Sequence, residues 1–266
     1  MKKPIFLLLF FCIVLAGPAS AQFFVEEGKV TLSVSGGERI NNAININNTS
    51  PETLDLRIYW EDFEYVPPYD GAKKFMPAGT GKGSASEWIR FSPQDLKLPP
   101  FGRQKVEYTI NVPPQVEGGH YGVLFIEKSS DPLKDSTGVK IITRIGSIFF
   151  IEAKNKIKKA ELLDIKAEGN DFIGSFSNSG NVVLIPQITY YIMDESGLAI
   201  DRGELPKLYV SPEAAGSWKL ALPQDLKPAR FTMVLNADLD EGDLVVKEVT
   251  FSKDSSGIVT VEKIQD

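Results

Sequence analysis

Apolar and polar residues alternate with a period of two through most of this chain, a rhythm that suits half-buried strands and defeats amphipathic helices. Leu54, Leu56, Ile58 and Trp60 point one way, and Asp55, Arg57, Tyr59 and Glu61 the other. Val106, Tyr108, Ile110 and Val112 repeat the pattern against Lys105, Glu107, Thr109 and Asn111. Turn-forming clusters separate such runs: Gly36-Gly37, Asn48-Thr49-Ser50-Pro51, Ser92-Pro93, Pro113-Pro114 and Gly118-Gly119. Short strands at this spacing, with no helical period between them, predict an all-β chain, a sandwich or a barrel.

An internal repeat favours the sandwich. Asn48-Thr49-Ser50, Ser92-Pro93, Pro114-Gln115 and the strand from Tyr121 have counterparts in Asn178-Ser179-Gly180, Ser211-Pro212, Pro223-Gln224 and the strand from Phe231. The offsets are 130, 119, 109 and 110 residues. One module of immunoglobulin-like length is therefore present twice, the first copy carrying an extra loop from Val66 to Ser86. The reading is two immunoglobulin-like β-sandwich domains in tandem after a signal peptide. The bounds are 1–21 for the signal, 22–154 and 155–252 for the domains, and 253–266 for a C-terminal tail. The lysines of the connector, Lys154, Lys156, Lys158 and Lys159, read as a solvated linker.

The first residues form an address. Lys2 and Lys3 precede an apolar run from Ile5 to Ala16, and Ala19-Ser20-Ala21 supplies a small-x-small cleavage signature, so the mature chain is expected to start at Gln22 in a periplasmic or secreted location. That run is too short to cross a bilayer, and no later one is longer, so no membrane span is expected in the mature chain. Cys12, the single cysteine, leaves with the signal, which excludes disulfides and thiolate metal sites. Losing Lys2 and Lys3 takes the 29 basic residues to 27 against 35 acidic ones, a net charge of −8. Such a surface is a poor match for nucleic acid.

Catalytic patterns fail on counting. His120 is the sole histidine, so a histidine metal cluster is excluded, and its place after Gly118-Gly119 at the start of a strand suits a structural or surface role. Gly79 to Ser84 lacks the register of a phosphate loop, with Met76 and Gly83 at the wrong positions, and reads as a loop tip. Asp238 to Asp243 is acidic but lacks the calcium-loop register and reads as a hairpin turn. The expectation is a binding protein, not an enzyme, with no cofactor and no metal.

Two consecutive strands depart from the half-buried pattern. In Tyr121 to Ile126, and again from Gly138 to Ile151, apolar residues occupy both faces. A sandwich strand ordinarily shows one face to water. The second face is covered either by the second domain or by a partner protein whose strand adds beside the long Gly138 to Ile151 strand.

Three segments carry a family resemblance: Trp88-Ile89-Arg90-Phe91-Ser92-Pro93, Leu98 to Val106, and Gly119 to Phe125. With Gly138 to Phe150 as a last strand, residues 28 to 152 resemble the first domain of the periplasmic pilus chaperones of the PapD type. PapD and donor-strand complementation are themselves standard examples of the sandwich and of strand addition. The resemblance implies a periplasmic chaperone that binds protein subunits of an exported surface structure, with room for an outer-membrane assembly protein as a second partner. By position, Val139 and Ile141 would enter the open groove of a subunit. The lysine that holds the subunit's terminal carboxylate in that family corresponds here to Gly146, and its partner arginine to the region of Thr31. Lys29 and Arg144 are the neighbouring cations that could replace them. The same strand pattern also resembles extracellular immunoglobulin-like modules, which leaves an envelope or cell-surface binding module as the alternative.

Overall fold

The computed structural model describes residues 22–129, 142–241 and 244–266. Among them are eighteen strands and no helix, arranged as two β-sandwiches. In the first, one sheet is ordered β1 (Phe23–Val25), β3 (Arg39–Asn48), β8 (Arg103–Asn111), β6 (Ile89–Ser92). The facing sheet runs β2 (Lys29–Val34), β10 (Arg144–Ala153), β9 (Gly119–Lys128), β4 (Leu54–Tyr65), β5 (Lys73–Pro77), with β7 (Asp95–Leu98) also beside β4. The alternation of β4 does what its pattern predicts: Leu54, Leu56, Ile58 and Trp60 all lie in the core, against Ile44, Ile110, Leu124 and Phe149. The N-terminal strand changes sheets, since β1 pairs antiparallel with β3 while β2 pairs parallel with β10.

The second sandwich packs β11 (Ala160–Glu168), β12 (Asp171–Asn178) and β15 (Ala215–Ala221) on a five-stranded sheet. That sheet is ordered β14 (Ala199–Glu204), β13 (Gln187–Met193), β16 (Ala229–Asp238), β17 (Leu244–Lys253), β18 (Val259–Gln265). Phe172, Phe176, Trp218, Met233 and Phe251 fill its separate core. Residues 253–266 are therefore not a tail. Asp254 Oδ1 accepts from the amides of Ser256 and Ile258, turning the chain back so that β18 pairs with β17 and buries Val259. An Asx turn made by Asp254, with Gly257 in the left-handed region, is the signal that the tail reading missed.

The repeat has a physical core in two buried asparagines. Asn48 donates through Nδ2 to Glu52 O and Pro99 O, and Oδ1 accepts from the amide of Ser50. Asn178 donates to Val182 O and Val210 O and accepts from the amide of Gly180. The amide of Asn48 donates to Gly102 O, and that of Asn178 to Ala214 O. Phe101 and Glu213, the residues before those carbonyls, both sit at positive φ, 52° and 63°. These matches put the second offset at 112 residues, so Ser211-Pro212 corresponds to Pro99-Pro100 and not to Ser92-Pro93. A shared Ser-Pro dipeptide misaligned that one signal; the hydrogen bonds align it.

The connector also differs from the solvated linker its charge suggests. Side chains of Lys156 and Lys158 are only 15% and 9% exposed. Lys156 bridges Glu152 and Glu241, each at 3.0 Å, and Lys158 donates to Leu239 O and lies 3.4 Å from Glu241. The acidic turn after β16 is thus taken up by the connector's lysines, which tie the last strand of the first sandwich to a hairpin of the second.

Candidate partner-binding edge

Strand β10 has two halves with different neighbours. From Ile148 to Ala153 its outer edge is paired with β2, beginning with the amide of Ile148 donating to Gly28 O. On the inner side, Lys128 donates to Thr143 O and Ala153 to Gly118 O, so odd-numbered residues bond to β9 and even-numbered ones face outward. Since β2 stops at the level of Ile148, the amides and carbonyls of Arg144 and Gly146 lie on an edge without a strand partner among the described residues. Just below, Ser147 Oγ donates to Glu27 O and closes the junction.

Above this edge lies the second apolar face. Phe63, Tyr121, Val123, Phe125 and Phe150 form a cluster apart from the sandwich core, with Tyr121 and Phe150 edge to face at 5.2 Å. Its cover comes from two directions. From the second sandwich, Val183 joins the cluster, its amide donating to Tyr121 Oη at 2.7 Å, and Tyr209 stacks on Tyr65 at 5.0 Å. From the extra loop of the first sandwich, Phe75 on β5 meets Phe125 at 5.1 Å. The apolar second face is an interface within the chain, and strand addition is left to the edge alone.

The extra loop is ordered by a buried carboxylate. Asp62, 1% exposed, accepts from Trp60 Nε1 (3.1 Å), Ser84 Oγ (2.8 Å) and the amide of Gly81 (3.0 Å). His120 packs in the same region with its ring 4.1 Å from Trp88, its Nδ1 near Ser84 O and its Nε2 near Glu117 O. Burial lowers its pKa from the usual histidine value.

The site residues expected from sequence fare differently. Val139 and Ile141 lie outside the described residues. Arg144 is on the outward face of β10, its guanidinium 4.2 Å from the Phe125 ring and its Nη1 3.4 Å from Glu61 and 3.3 Å from Tyr59 Oη. Tyr59 in turn donates to Glu127 at 2.7 Å. The hydrogen bond to Tyr59 and the charge of Glu61 raise the pKa of Arg144, whose charge is already matched. Lys29 sits 4.4 Å over the Phe150 ring. Positions 144 and 150 on one strand are about 20 Å apart, so these cations are not brought together as one anchor. Gly146 explains why no lysine stands there: a Cβ would come within 2.4 Å of Val123 Cγ1 and 3.0 Å of Phe125. Tyr59 and Glu61 were missed in sequence because each looks like an ordinary outward residue of an alternating strand, and Glu127 because it reads as the polar end of a strand apolar on both faces.

No protein-family model matches the chain, and no curated protein matches it. Solved structures do. The Class 5 fimbriae chaperone CfaA shares 11% identity at a TM-score of 0.52, covering 91% of this chain and 99% of that one. A chain from the chaperone–tip adhesin complex of CFA/I fimbriae biogenesis gives 12% identity and the same TM-score and coverage. At these identities the likeness is one of fold, and it extends over both sandwiches. The chain has the PapD-like fold of two immunoglobulin-like β-sandwiches found in fimbrial chaperones.

Proposed function

We propose that this protein is a periplasmic chaperone that holds subunits of an exported surface structure by adding a strand of its own, or accepting one of theirs, at the free edge of β10. The observation that carries this reading is the asymmetry of that strand: its C-terminal half is closed by β2, while the backbone donors and acceptors of Arg144 and Gly146 meet no strand partner among the described residues. An unpaired edge is a ready template for another chain. The fold of CfaA, described as a fimbriae chaperone, agrees with that use. The segment running into this edge carries Val139 and Ile141, whose alternate side chains would fill pockets in the partner while backbone bonds supply affinity. Subunit recognition here does not rest on a lysine anchor at position 146.

Because the mature chain has no cysteine, the edge can be mapped with single thiols. Arg144→Cys, carrying a photoactivatable crosslinker, should capture an exported subunit in periplasmic extract. Thr109→Cys, on the opposite sheet, should not. Replacing Val139 and Ile141 together by Thr should lower subunit binding at least tenfold with little change in melting temperature, since each hydroxyl would be unpaired in a dry pocket, at about 1 to 3 kcal/mol. Equal capture at both positions, or undiminished binding by the double variant, would leave the envelope-module alternative.

A further inference from the structure

A cavity of about 370 Å³ opens between the two sandwiches, and none of its lining residues comes from β10. Its volume falls in the range of small-ligand sites. The walls are rigid aromatic rings of the first sandwich: Phe63, Tyr65 and Tyr121 are each under 8% exposed and locked by ring contacts, Phe63 lying perpendicular to Tyr65 at 5.5 Å. Val183 closes it from the second sandwich.

Two phenols stand among the aromatic walls, with Glu64 and Ser211 also on the lining. Tyr65 Oη has no hydrogen-bond partner among the described residues. Tyr121 Oη accepts from the amide of Val183, which leaves its own hydrogen without an acceptor among those residues. Burial pushes both phenols above their ordinary pKa, so both are neutral donors at neutral pH. Across the mouth, Lys82 of the first sandwich and Glu213 of the second pair at 3.6 Å, both largely solvated. Such a pair contributes little and parts easily. It also cancels charge at the entrance, which disfavours an ion as the occupant.

We infer that this interdomain cavity is a binding site for one aromatic ring bearing a hydrogen-bond acceptor, the ring packing among Phe63, Tyr65 and Tyr121 and the acceptor taking the free phenol hydrogens. A phenyl ketone or amide is the minimal form. The ring could come from a free compound or from a phenylalanine or tyrosine of a polypeptide.

The test titrates the full mature chain with acetophenone, ethylbenzene and N-acetylphenylalaninamide, following the amide resonances of Gly83, Gly119 and Val183. Acetophenone should shift them saturably and bind at least about tenfold tighter than ethylbenzene, which has the ring without the acceptor, a difference of about 1.4 kcal/mol. Tyr65→Phe, which removes a hydroxyl that bonds to nothing in the protein, should erase most of that preference without changing stability. Ala214→Trp should fill the cavity and abolish binding. Tighter binding of the amide than of acetophenone assigns the ring to a polypeptide, and the reverse assigns it to a free compound. No saturable shift from any of the three probes overturns the inference. So does equal acetophenone affinity in wild type and Tyr65→Phe, a comparison that holds even if Ala214→Trp fails to fold.

Discussion

Asn178 offers the sharpest test of how the second sandwich is held. It is 1% exposed, and its carboxamide donates to Val182 O at 2.8 Å and Val210 O at 2.9 Å while accepting from Gly180 N at 2.9 Å. Asn178→Ala removes three hydrogen bonds worth about 1 kcal/mol net each, so the expected loss is about 3 kcal/mol. For a sandwich of this size that lowers the melting temperature by about 12 °C. Asn178→Asp is worse at pH 7, because a carboxylate would face two carbonyl oxygens with no donor to replace the lost amide hydrogens. An uncompensated buried charge of this kind costs about 3 to 5 kcal/mol. The variant escapes by taking up a proton, so its folded pKa must lie above the unfolded aspartate value of about 3.9. The folded state then binds more protons than the unfolded one, and stability falls as pH rises from about 4 towards 7. Urea unfolding followed by Trp218, the tryptophan of the second core, should show Asp well below Ala at pH 7 and the gap closing near pH 4. An Asp variant as stable as wild type at pH 7, or a gap unchanged between the two pH values, would refute the hydrogen-bond account.

Further tests address the first sandwich. Asp62→Ala should cost about 3 kcal/mol by stripping Trp60, Ser84 and Gly81 of their acceptor, and hydrogen exchange at Gly81 should rise with it; exchange unchanged at Gly81 would mean that something else holds the extra loop. Gly146→Ala should destabilise by about 1 to 3 kcal/mol through its clash with Val123, measured by urea unfolding, and Gly146→Lys should do the same without creating a carboxylate anchor. A fragment of residues 22–154 should fold with β-type circular dichroism and cooperative melting, because its core is closed without the second sandwich. Exposure of Tyr65, Tyr121 and Phe150 should make that fragment less soluble than the whole chain.

Period-two alternation made the strands legible. β8 and the first part of β4, Leu54 to Trp60, could be read residue by residue, because one face of each is core and the other turns away from it. Turn asparagines were legible as punctuation and proved to be more than that, since the amides of Asn48 and Asn178 stitch their own loops together. What sequence could not show was pairing across distance. Nothing local to Lys156 announces that Glu241 neutralises it, so a charge run looked solvated. The extra loop looked free because its anchor, Asp62, lies on another strand, and nothing local to that residue names Ser84 and Gly81 as its partners. The apolar second face was visible in Tyr121 to Ile126, but its cover, Val183 and Tyr209, is supplied from the other half of the chain.

Under the proposed function, the edge of β10 that meets no strand partner among the described residues and the covered face together limit how a partner can be held. Were the outer face of β9 and β10 open, a partner could bind by burying apolar area, with little demand on register. Instead Val183, Tyr209 and Phe75 occupy that face, and Arg144 caps Phe125 while paired with Glu61. On that proposal what remains is backbone: a partner strand would align its own donors and acceptors with Arg144 and Gly146, whose groups point outward by the parity of the ladder. Strand pairing is tolerant of side-chain identity but strict in register, since a shift of one residue turns every side chain to the wrong face. Without a lysine at position 146 to fix the end of the partner, register has to be set by alternating side chains along the added strand. The proposed chaperone role therefore expects selectivity for subunits to reside in residues N-terminal to Arg144, Val139 and Ile141 among them, while Gly146 keeps the packing of Val123 and Phe125 on the second face undisturbed.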